Sequence, residues 1–178
     1  MNGGVIQRIG SRPALEMLTQ AIRANPDTEA RIRHAGVFAG LAIDPAKSPL
    51  ERGDFLVRNL VGADQSSGAL AVAERVRVGQ TLQFQIRDAR ASREDLREML
   101  DELVERLNGR RPAFGCYFDC AGRGRGLFGV PDHDVTLIRE RLGDFPLVGF
   151  FGNGEFAPIG RRNFFHNYTG ALVIFPED

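Results

Sequence analysis

The segment VAERVRVGQTLQFQIR, residues 72–87, decides the fold class. On both sides of Gly79-Gln80 apolar residues alternate with polar ones, most regularly at Leu82, Phe84 and Ile86. Alternation with a period of two is typical of a strand with one buried face, and the glycine between the two runs is typical of a turn. The segment therefore predicts two antiparallel strands joined as a hairpin in the middle of the chain.

Further strands and helices are interspersed on both sides of this hairpin. Ser92 begins a predicted capping box, and the apolar residues after it predict an amphipathic helix that ends at Asn108-Gly109. Shorter helices are predicted from Ser11 to Asn25-Pro26 and after Asp132. The remaining apolar runs predict strands at residues 5–9, 37–43, 54–61, 113–120, 147–151 and 171–175. We expect an α+β fold of about seven strands in mixed, mostly antiparallel sheets flanked by about three helices, with a layered α/β/β/α sandwich as one compatible arrangement.

Length and charge exclude several classes of function. The chain has 178 residues, which suits a single domain, and its 23 lysines and arginines balance its 23 acidic residues. A net charge of zero argues against a general nucleic-acid binder and against a polybasic membrane anchor. No apolar run approaches the roughly 20 residues of a membrane span, and the N-terminus has no secretory signal. We therefore expect a cytoplasmic protein that binds neither nucleic acid nor a membrane.

Three polar segments in the second half of the chain could carry chemistry. In the glycine-rich loop after strand 113–120, Arg123 lies among bare backbone amides, which together favour an anion. Glu155 follows a buried strand and is a candidate acid within a pocket. His166 lies among aromatic and amide side chains. For each segment the alternative is a purely structural or solvated residue.

Cys120 supports a separate, catalytic hypothesis. It ends a strand beside Arg123, and a neighbouring cation stabilises a thiolate. With His166 as its base, and Glu155 or Asn167 orienting that base, the thiol would resemble a Cys–His nucleophile. No local signature of a known cysteine enzyme accompanies these residues, so a buried structural thiol is the alternative.

Taken in order, these segments resemble the C-terminal domain of the FIST family. The residues that carry the resemblance are FDCAGRG (118–124), LFG (127–129), PLVGFFGNGEFAP (146–158) and HNYT (166–169), with SRPAL (11–15) and VGQTLQFQIRD (78–88) upstream. FIST domains are sensory domains of bacterial signal-transduction proteins and of some F-box proteins. The resemblance covers nearly all of residues 1–178 as one C-terminal domain, and nothing matches the longer N-terminal FIST domain that normally precedes it.

This resemblance implies a ligand-sensing domain that is not an enzyme and has no metal or cofactor. The implied ligand is an amino acid or a similar small polar or anionic molecule, and the implied partners are an N-terminal FIST domain or other signalling modules. The family elements fall on Cys120, Gly122, Arg123, Asn153, Glu155, His166 and Asn167. We expect Arg123 and the loop amides to hold a carboxylate, Glu155 to hold an ammonium group, and His166 or Asn167 to fix the orientation.

Two alternatives stay open besides the thiol enzyme. Some FIST relatives sense nitric oxide through haem, and haem would be ligated here by His166 or Cys120. The chain could instead be an interaction module that docks on an N-terminal half. In that case we expect a large apolar surface patch, whereas a closed polar pocket favours ligand sensing.

Overall fold

The computed structural model describes residues 4–24, 32 and 36–178, and the chain forms two compact units, Met1–Arg87 and Asp88–Asp178. The described residues contain twelve strands, mostly in antiparallel sheets, and four helices, which confirms the α+β class. The predicted end of the first helix at Asn25-Pro26 lies outside the described residues.

The first unit is built on an antiparallel sheet. Its strands are β1 (Gly4–Ile6), β4 (Val37–Ala42), β5 (Phe55–Asp64), β6 (Ala69–Val72) and β7 (Leu82–Ile86), in the spatial order β1-β6-β5-β4-β7. A short pair, β2 (Arg8–Ile9) and β3 (Arg12–Pro13), leads into helix α1 (Ala14–Arg23). Ala14 and Leu18 of α1 pack against Leu70 of β6, so the helix covers the sheet through its apolar stripe.

The predicted hairpin at residues 72–87 is wrong in its pairing. Strand β6 ends at Val72 and pairs with β1 and β5, whereas β7 pairs with β4. Residues 73–81 form a connection instead of a strand, and Val78 is fully exposed. The alternation correctly located β7, but it reports only which side chains face the core and not which strand lies alongside.

The second unit combines a small sheet with two packed helices. Its elements are α2 (Ala89–Leu107), β8 (Pro112–Cys120), α3 (Arg125–Phe128), α4 (His133–Leu142), β9 (Leu147–Gly152), β10 (Glu155–Ile159), β11 (Arg162–His166) and β12 (Gly170–Pro176). Strands β12, β8 and β9 form a sheet in that order, with β8 antiparallel to β12 and parallel to β9. Strands β10 and β11 form a separate hairpin within the predicted irregular segment 152–168.

The two faces of the β12-β8-β9 sheet differ sharply. On one face Tyr117 packs with Leu96 and Leu100 of α2 and with Ile138 of α4, which forms the core of the unit. The opposite face exposes large apolar side chains on all three strands: Phe114, Phe118, Val148, Phe150, Val173 and Phe175. Every second residue of a strand faces the same side, so one strand supplies both surfaces.

The start of α2 departs from the predicted capping box. The helix begins at Ala89, and Asp88 caps it by accepting a hydrogen bond from the Ala91 amide at 2.8 Å. Ser92 therefore lies inside the first turn. The predicted end is confirmed, because Asn108 and Gly109 adopt the left-handed conformation that terminates a helix.

Candidate functional site

The predicted site segments meet at the carboxyl end of the parallel pair β8–β9. Cys120 ends β8, and the loop after it is tied to the end of β9 by a hydrogen bond from the Ala121 amide to the Gly152 carbonyl at 2.8 Å. The Cys120 amide bonds to the Thr169 carbonyl at 2.9 Å, which brings the segment after β11 to the same edge. The carboxyl edge of parallel strands is a common location for ligand sites in α/β sheets.

At this edge the polar residues divide into two clusters. Asp119 and Cys120 are consecutive in β8, so their side chains leave the sheet on opposite faces. The side chain of Asp119 meets Arg123 on the helix-covered face. The side chain of Cys120 meets Glu155. The expected single pocket that unites Arg123 with Glu155 is therefore replaced by two adjacent environments.

The first environment, called here the arginine cluster, comprises Tyr117, Asp119, Arg123, His133 and Asp134. Arg123 Nε donates to Asp134 Oδ2 at 2.8 Å and lies 3.3 Å from Asp119 Oδ1. The Tyr117 hydroxyl lies 2.9 Å from Asp134 Oδ2 and 3.3 Å from Asp119 Oδ1. Its single hydrogen can serve only one acceptor fully, and the shorter distance assigns it to Asp134.

The tautomer of His133 follows from its neighbours. Arg93 Nε lies 2.9 Å from His133 Nε2, and since a guanidinium can only donate, Nε2 is the acceptor. His133 Nδ1 therefore carries the hydrogen and donates it to Asp134 Oδ1 at 2.7 Å. The ring stacks on Phe128 with the ring centroids 3.7 Å apart, which fixes its plane. Asp134 thus receives hydrogen bonds from three side chains.

The cluster contains more negative than positive charge. One guanidinium, Arg123, faces the carboxyl groups of Asp119 and Asp134, and all three side chains are at least nine-tenths buried. Burial and the charge of Asp134 raise the pKa of Asp119 to about 7. Burial also acts to raise the pKa of Asp134, but its hydrogen bond to Arg123 and the charge of Arg123 hold that pKa below its ordinary value. The guanidinium of Arg123 therefore balances the negative charge of Asp134 more fully than that of Asp119.

A cavity of about 260 Å³ opens onto this cluster. Its polar surface includes Tyr117, Asp119, Arg123 and Asp134, and its apolar surface comes mainly from β9. The five consecutive β9 residues 147–151 line it, together with residues at the start of α4. Gly124 completes the rim, and a Cβ atom there would lie 3.8 Å from the ring of Phe151.

The second environment, called here the thiol–carboxyl cluster, comprises Cys120, Glu155, His166 and Thr169. Thr169 Oγ1 donates to Glu155 Oε2 at 3.0 Å, and the Cys120 thiol also donates to this carboxyl group. Glu155 Oε1 is buried without a hydrogen-bond partner. Burial raises the pKa of Glu155, although these hydrogen bonds act in the opposite direction. Glu155 and His166 are paired in register across β10 and β11.

The remaining predicted residues lie in the connecting loops. Gly122 is half-buried in the turn after β8, and Asn153 is exposed in the turn between β9 and β10. Asn167 is half-buried after β11. None of these three residues lines the 260 Å³ cavity, whereas Arg123 does.

Sequence reasoning missed most partners of Arg123. Tyr117 and Asp119 precede Cys120 at positions that face the helices. Two polar side chains on the inward face of a predicted buried strand could have indicated that hydrogen-bond partners lie opposite them. His133 and Asp134 occupy the first turn of α4, where a polar run is indistinguishable from ordinary helix capping. Asp132 does precede that helix as predicted, but it makes no side-chain capping bond.

As placed, Cys120 and His166 do not fit the axial ligand of a haem. The thiol is enclosed, with Cys120 only 5% exposed, and it faces a carboxyl group. His166 Nε2 donates to the Ala157 carbonyl at 3.0 Å, so this nitrogen is already engaged. The described residues hold no group of three or more His, Cys, Asp or Glu side chains suited to a metal ion. We derive no step that depends on haem or on a metal.

The family model for the FIST C domain matches residues 14–158, which run through both compact units. The chain belongs to the FIST C domain family. FIST C domains are sensory domains of signal-transduction proteins, and the resemblance inferred from the sequence motifs is confirmed.

Curated relatives of this FIST C domain come from mycobacteria. An uncharacterized protein of Mycobacterium bovis is 42% identical over 178 residues, and one of Mycobacterium tuberculosis is 40% identical over 176 residues. Each alignment covers 99% of this chain but 46% of the relative, so the chain spans about half the length of these proteins. No solved structure matches the chain significantly. The part of the chain that the structure describes contains no helix with the length and apolar character to span a membrane.

Proposed function

We propose that this FIST C domain senses an amino acid or a similar small polar molecule, without catalysis, by binding it in the cavity beside Arg123. The observation that carries the proposal is a cavity with a buried ionic floor and an apolar wall at the carboxyl edge of two parallel strands. A pocket that combines apolar lining, a few convergent polar groups and a perturbed acid is the usual form of a small-molecule site.

The cavity limits the size of its ligand. Water occupies about 30 Å³ per molecule, so 260 Å³ corresponds to roughly nine non-hydrogen atoms. That is the size of a single amino acid. Nucleotides and haem are several times larger, so the dimensions favour the class of ligand that the family resemblance implies.

The charges of the lining suit a zwitterion, with roles that differ from those expected from the sequence. Arg123 already faces two carboxyl groups, so we assign it a positioning role, in which it holds Asp119 and Asp134 at the cavity floor. Asp119, with its surplus negative charge, would take the ligand's ammonium group. Arg139 also lines the cavity, with its side chain 57% exposed and its Nε 3.7 Å from Asp144 Oδ1, so the ligand's carboxylate would take the place of Asp144 beside it.

Two glycines allow a matched test of this proposal. Gly124 lines the cavity, whereas Gly126 lies two residues further on, does not line it, and has open space around its missing Cβ atom. Neither glycine has a positive φ, so a side chain is compatible with the backbone at both positions. We expect Gly124→Leu to fill part of the cavity against Phe151 and Gly126→Leu to leave it open.

The experiment is a thermal-shift screen with the twenty amino acids as probes, followed by calorimetry on any probe that raises the Tm. A probe at 100 times its Kd should add roughly 2.7 kcal/mol to the free energy of unfolding, which a thermal shift detects readily. We expect Gly124→Leu to weaken binding at least about tenfold and Gly126→Leu to bind as the wild type does. If neither an amino acid nor a short peptide with a free amino terminus raises the Tm, or if both variants bind equally well, the proposal is wrong.

A second role is favoured by the apolar face of the β12-β8-β9 sheet. Phe118 and Phe150 contact each other edge to face on this surface, and Phe150 is 66% exposed. An exposed apolar face on several strands is typical of an interaction surface. Since the mycobacterial relatives are about twice as long as this chain, we propose that an N-terminal FIST domain or another signalling module covers this face. Phe118→Ser with Phe150→Ser should weaken the association of this chain with the part of the M. bovis relative that lies outside the alignment, while Phe156→Ser, on another strand, should not. Equal association of all variants would refute this role.

A further inference from the structure

Strand β9 forms an edge of its sheet, and the cavity lies along that edge. The order β12-β8-β9 leaves one side of β9 without a neighbouring strand among the described residues. Side chains of consecutive strand residues point to opposite faces, yet all five residues 147–151 line the cavity. The feature that consecutive residues share is the main chain. The cavity is therefore bordered by the backbone of β9.

The pairing with β8 determines which backbone groups point into the open side. The Gly115 amide bonds to the Pro146 carbonyl, and the Ala121 amide bonds to the Gly152 carbonyl. In a parallel pair the bonded residues of one strand alternate, so Pro146, Val148, Phe150 and Gly152 face β8. The three residues between them, Leu147, Gly149 and Phe151, direct their N–H and C=O groups away from β8, toward the open edge. These groups form a template for an added strand.

Strand β9 lacks the features that normally protect an edge. Its sequence, LVGFFG, has no charged residue and no proline, and residues 148–151 are all exposed. Natural edge strands usually carry lysine, proline or a bulge to prevent pairing with another chain. An unprotected edge beside a cavity with a charged floor is instead typical of a site that receives an extended backbone.

We propose that the ligand of this cavity is the amino-terminal end of a short peptide, which adds to β9 as an extra strand. This inference rests on the proposed function and narrows its ligand from amino acids in general to peptides with a free amino terminus. Asp119 pairs in register with Phe151, at the carboxyl end of β9. Asp119 lies on β8, about two strand spacings or roughly 10 Å from a strand added beyond β9. The amino-terminal end of the peptide therefore crosses the cavity past Phe151 to reach Asp119, and the residues that follow pair with β9 from Phe151 toward Leu147, antiparallel to it.

The charge of the cluster and the size of the cavity both favour a peptide terminus over a second copy of β9. Asp119 and Asp134 share the guanidinium of Arg123, while the Arg93 guanidinium bonds to His133, so an ammonium group would supply a cation to Asp119, the carboxyl group that Arg123 contacts less closely. Residues at the start of α4 form the opposite wall, and a volume of about 260 Å³, roughly nine non-hydrogen atoms, accommodates the first residue of a peptide, or the first two where both are as small as alanine. A β9 strand from another copy would bring only apolar residues and no cation to Asp119.

The test uses trialanine and three modified forms as probes, with binding measured by calorimetry and by amide chemical shifts. The first modified peptide is acetylated at its amino terminus, and each of the other two carries one N-methyl group, on the second or the third residue. Successive amides of a strand point in opposite directions, so only one of the two N-methyl peptides loses a hydrogen bond to β9. We expect acetylation and one N-methylation to weaken binding at least about tenfold, and the other N-methylated peptide to bind like trialanine.

The protein variants are Asp119→Asn, which keeps the shape of the side chain, and Asp178→Asn, a control at an exposed position that does not line the cavity. We expect only Asp119→Asn to weaken the binding of trialanine. Equal affinity for the acetylated peptide or for both N-methylated peptides would overturn the inference. Binding of free amino acids without binding of trialanine would overturn it and leave the proposed function intact. If neither class of probe binds, both proposals fail.

Discussion

The substitution Asp119→Asn tests the physical description of the arginine cluster most directly. In the folded protein, burial and Asp134 raise the pKa of Asp119 to about 7 from an ordinary value of 3.8. Between these two pH values the folded state keeps the proton that the unfolded state releases. Stability must therefore fall as the pH rises through this window. Asparagine has the same shape and no charge, so this part of the pH dependence should disappear in the variant.

The magnitude follows from the same values. A tenfold change in proton affinity corresponds to about 1.4 kcal/mol, and a pKa of about 7 against 3.8 is a change of about a thousandfold. Ionised Asp119 therefore costs the folded state at most about 4 kcal/mol above pH 7, and rearrangement of Arg123 and Tyr117 reduces this cost. We expect the wild type to lose about 2–4 kcal/mol between pH 4.5 and pH 8 through this residue.

The assay is urea unfolding of the wild type and the variant at intervals from pH 4.5 to 8.5. Because the other titrating groups are common to both proteins, the difference between the two curves reports the ionisation of Asp119 together with its electrostatic effect on Asp134. We expect the variant to become more stable than the wild type above pH 7, with the difference shrinking toward pH 5. Two parallel curves would show that Asp119 is ionised normally, and the argument from surplus charge would then fail.

Three further predictions concern the same unit. Gly149→Ala should destabilise the protein by more than about 3 kcal/mol in urea unfolding, because a Cβ atom at this position would lie 1.7 Å from the Tyr117 carbonyl oxygen. Gly126→Ala is the control: its Cβ atom would meet no other atom, and its effect on stability should be close to zero. Since burial raises the pKa of Glu155, Glu155→Gln should reduce the loss of stability between pH 4.5 and 7 in the same assay. Binding of trialanine at pH 6.5 should release part of a proton from Asp119, seen as a dependence of the calorimetric heat on the ionisation enthalpy of the buffer.

The sequence correctly predicted the helices and strands whose secondary structure depends on local features alone. The helix α2 was predicted because its apolar stripe and its end at Asn108-Gly109 are both local features. The strands β8 and β9 were predicted from their apolar runs, but the expectation that the strand before Glu155 is buried was wrong, because residues 148–151 of β9 are exposed. The pairing of β6 was not predictable, because its partners β1 and β5 are selected by packing between segments distant in sequence.

The hairpin β10–β11 was missed for a different reason. Its strands contain proline, asparagine and arginine as well as aromatic residues, and they alternate weakly. Their pairing is fixed by a turn at Gly160, which has φ +59°, and by the cross-strand contact of Phe156 with Phe165. A contact of this kind becomes visible only when both strands are in place.

The candidate site, like the fold, depends partly on the sequence of each segment and partly on contacts between segments that are distant in sequence. Convergence of the three polar segments was predicted from their resemblance to one family, and the hydrogen bonds from Cys120 and Ala121 to distant backbone groups bring these segments to one sheet edge. Which of their side chains share a pocket depends on one further fact, the position of each residue in the two-residue repeat of β8. That repeat directs Asp119 toward Arg123 and Cys120 toward Glu155. Because Asp134 then adds a second carboxyl group beside Arg123, the cavity floor becomes short of positive charge. In the folded chain Arg123, the residue that suggested an anion site in the sequence, therefore faces two carboxyl groups, and this is why we propose that an ammonium group binds beside it.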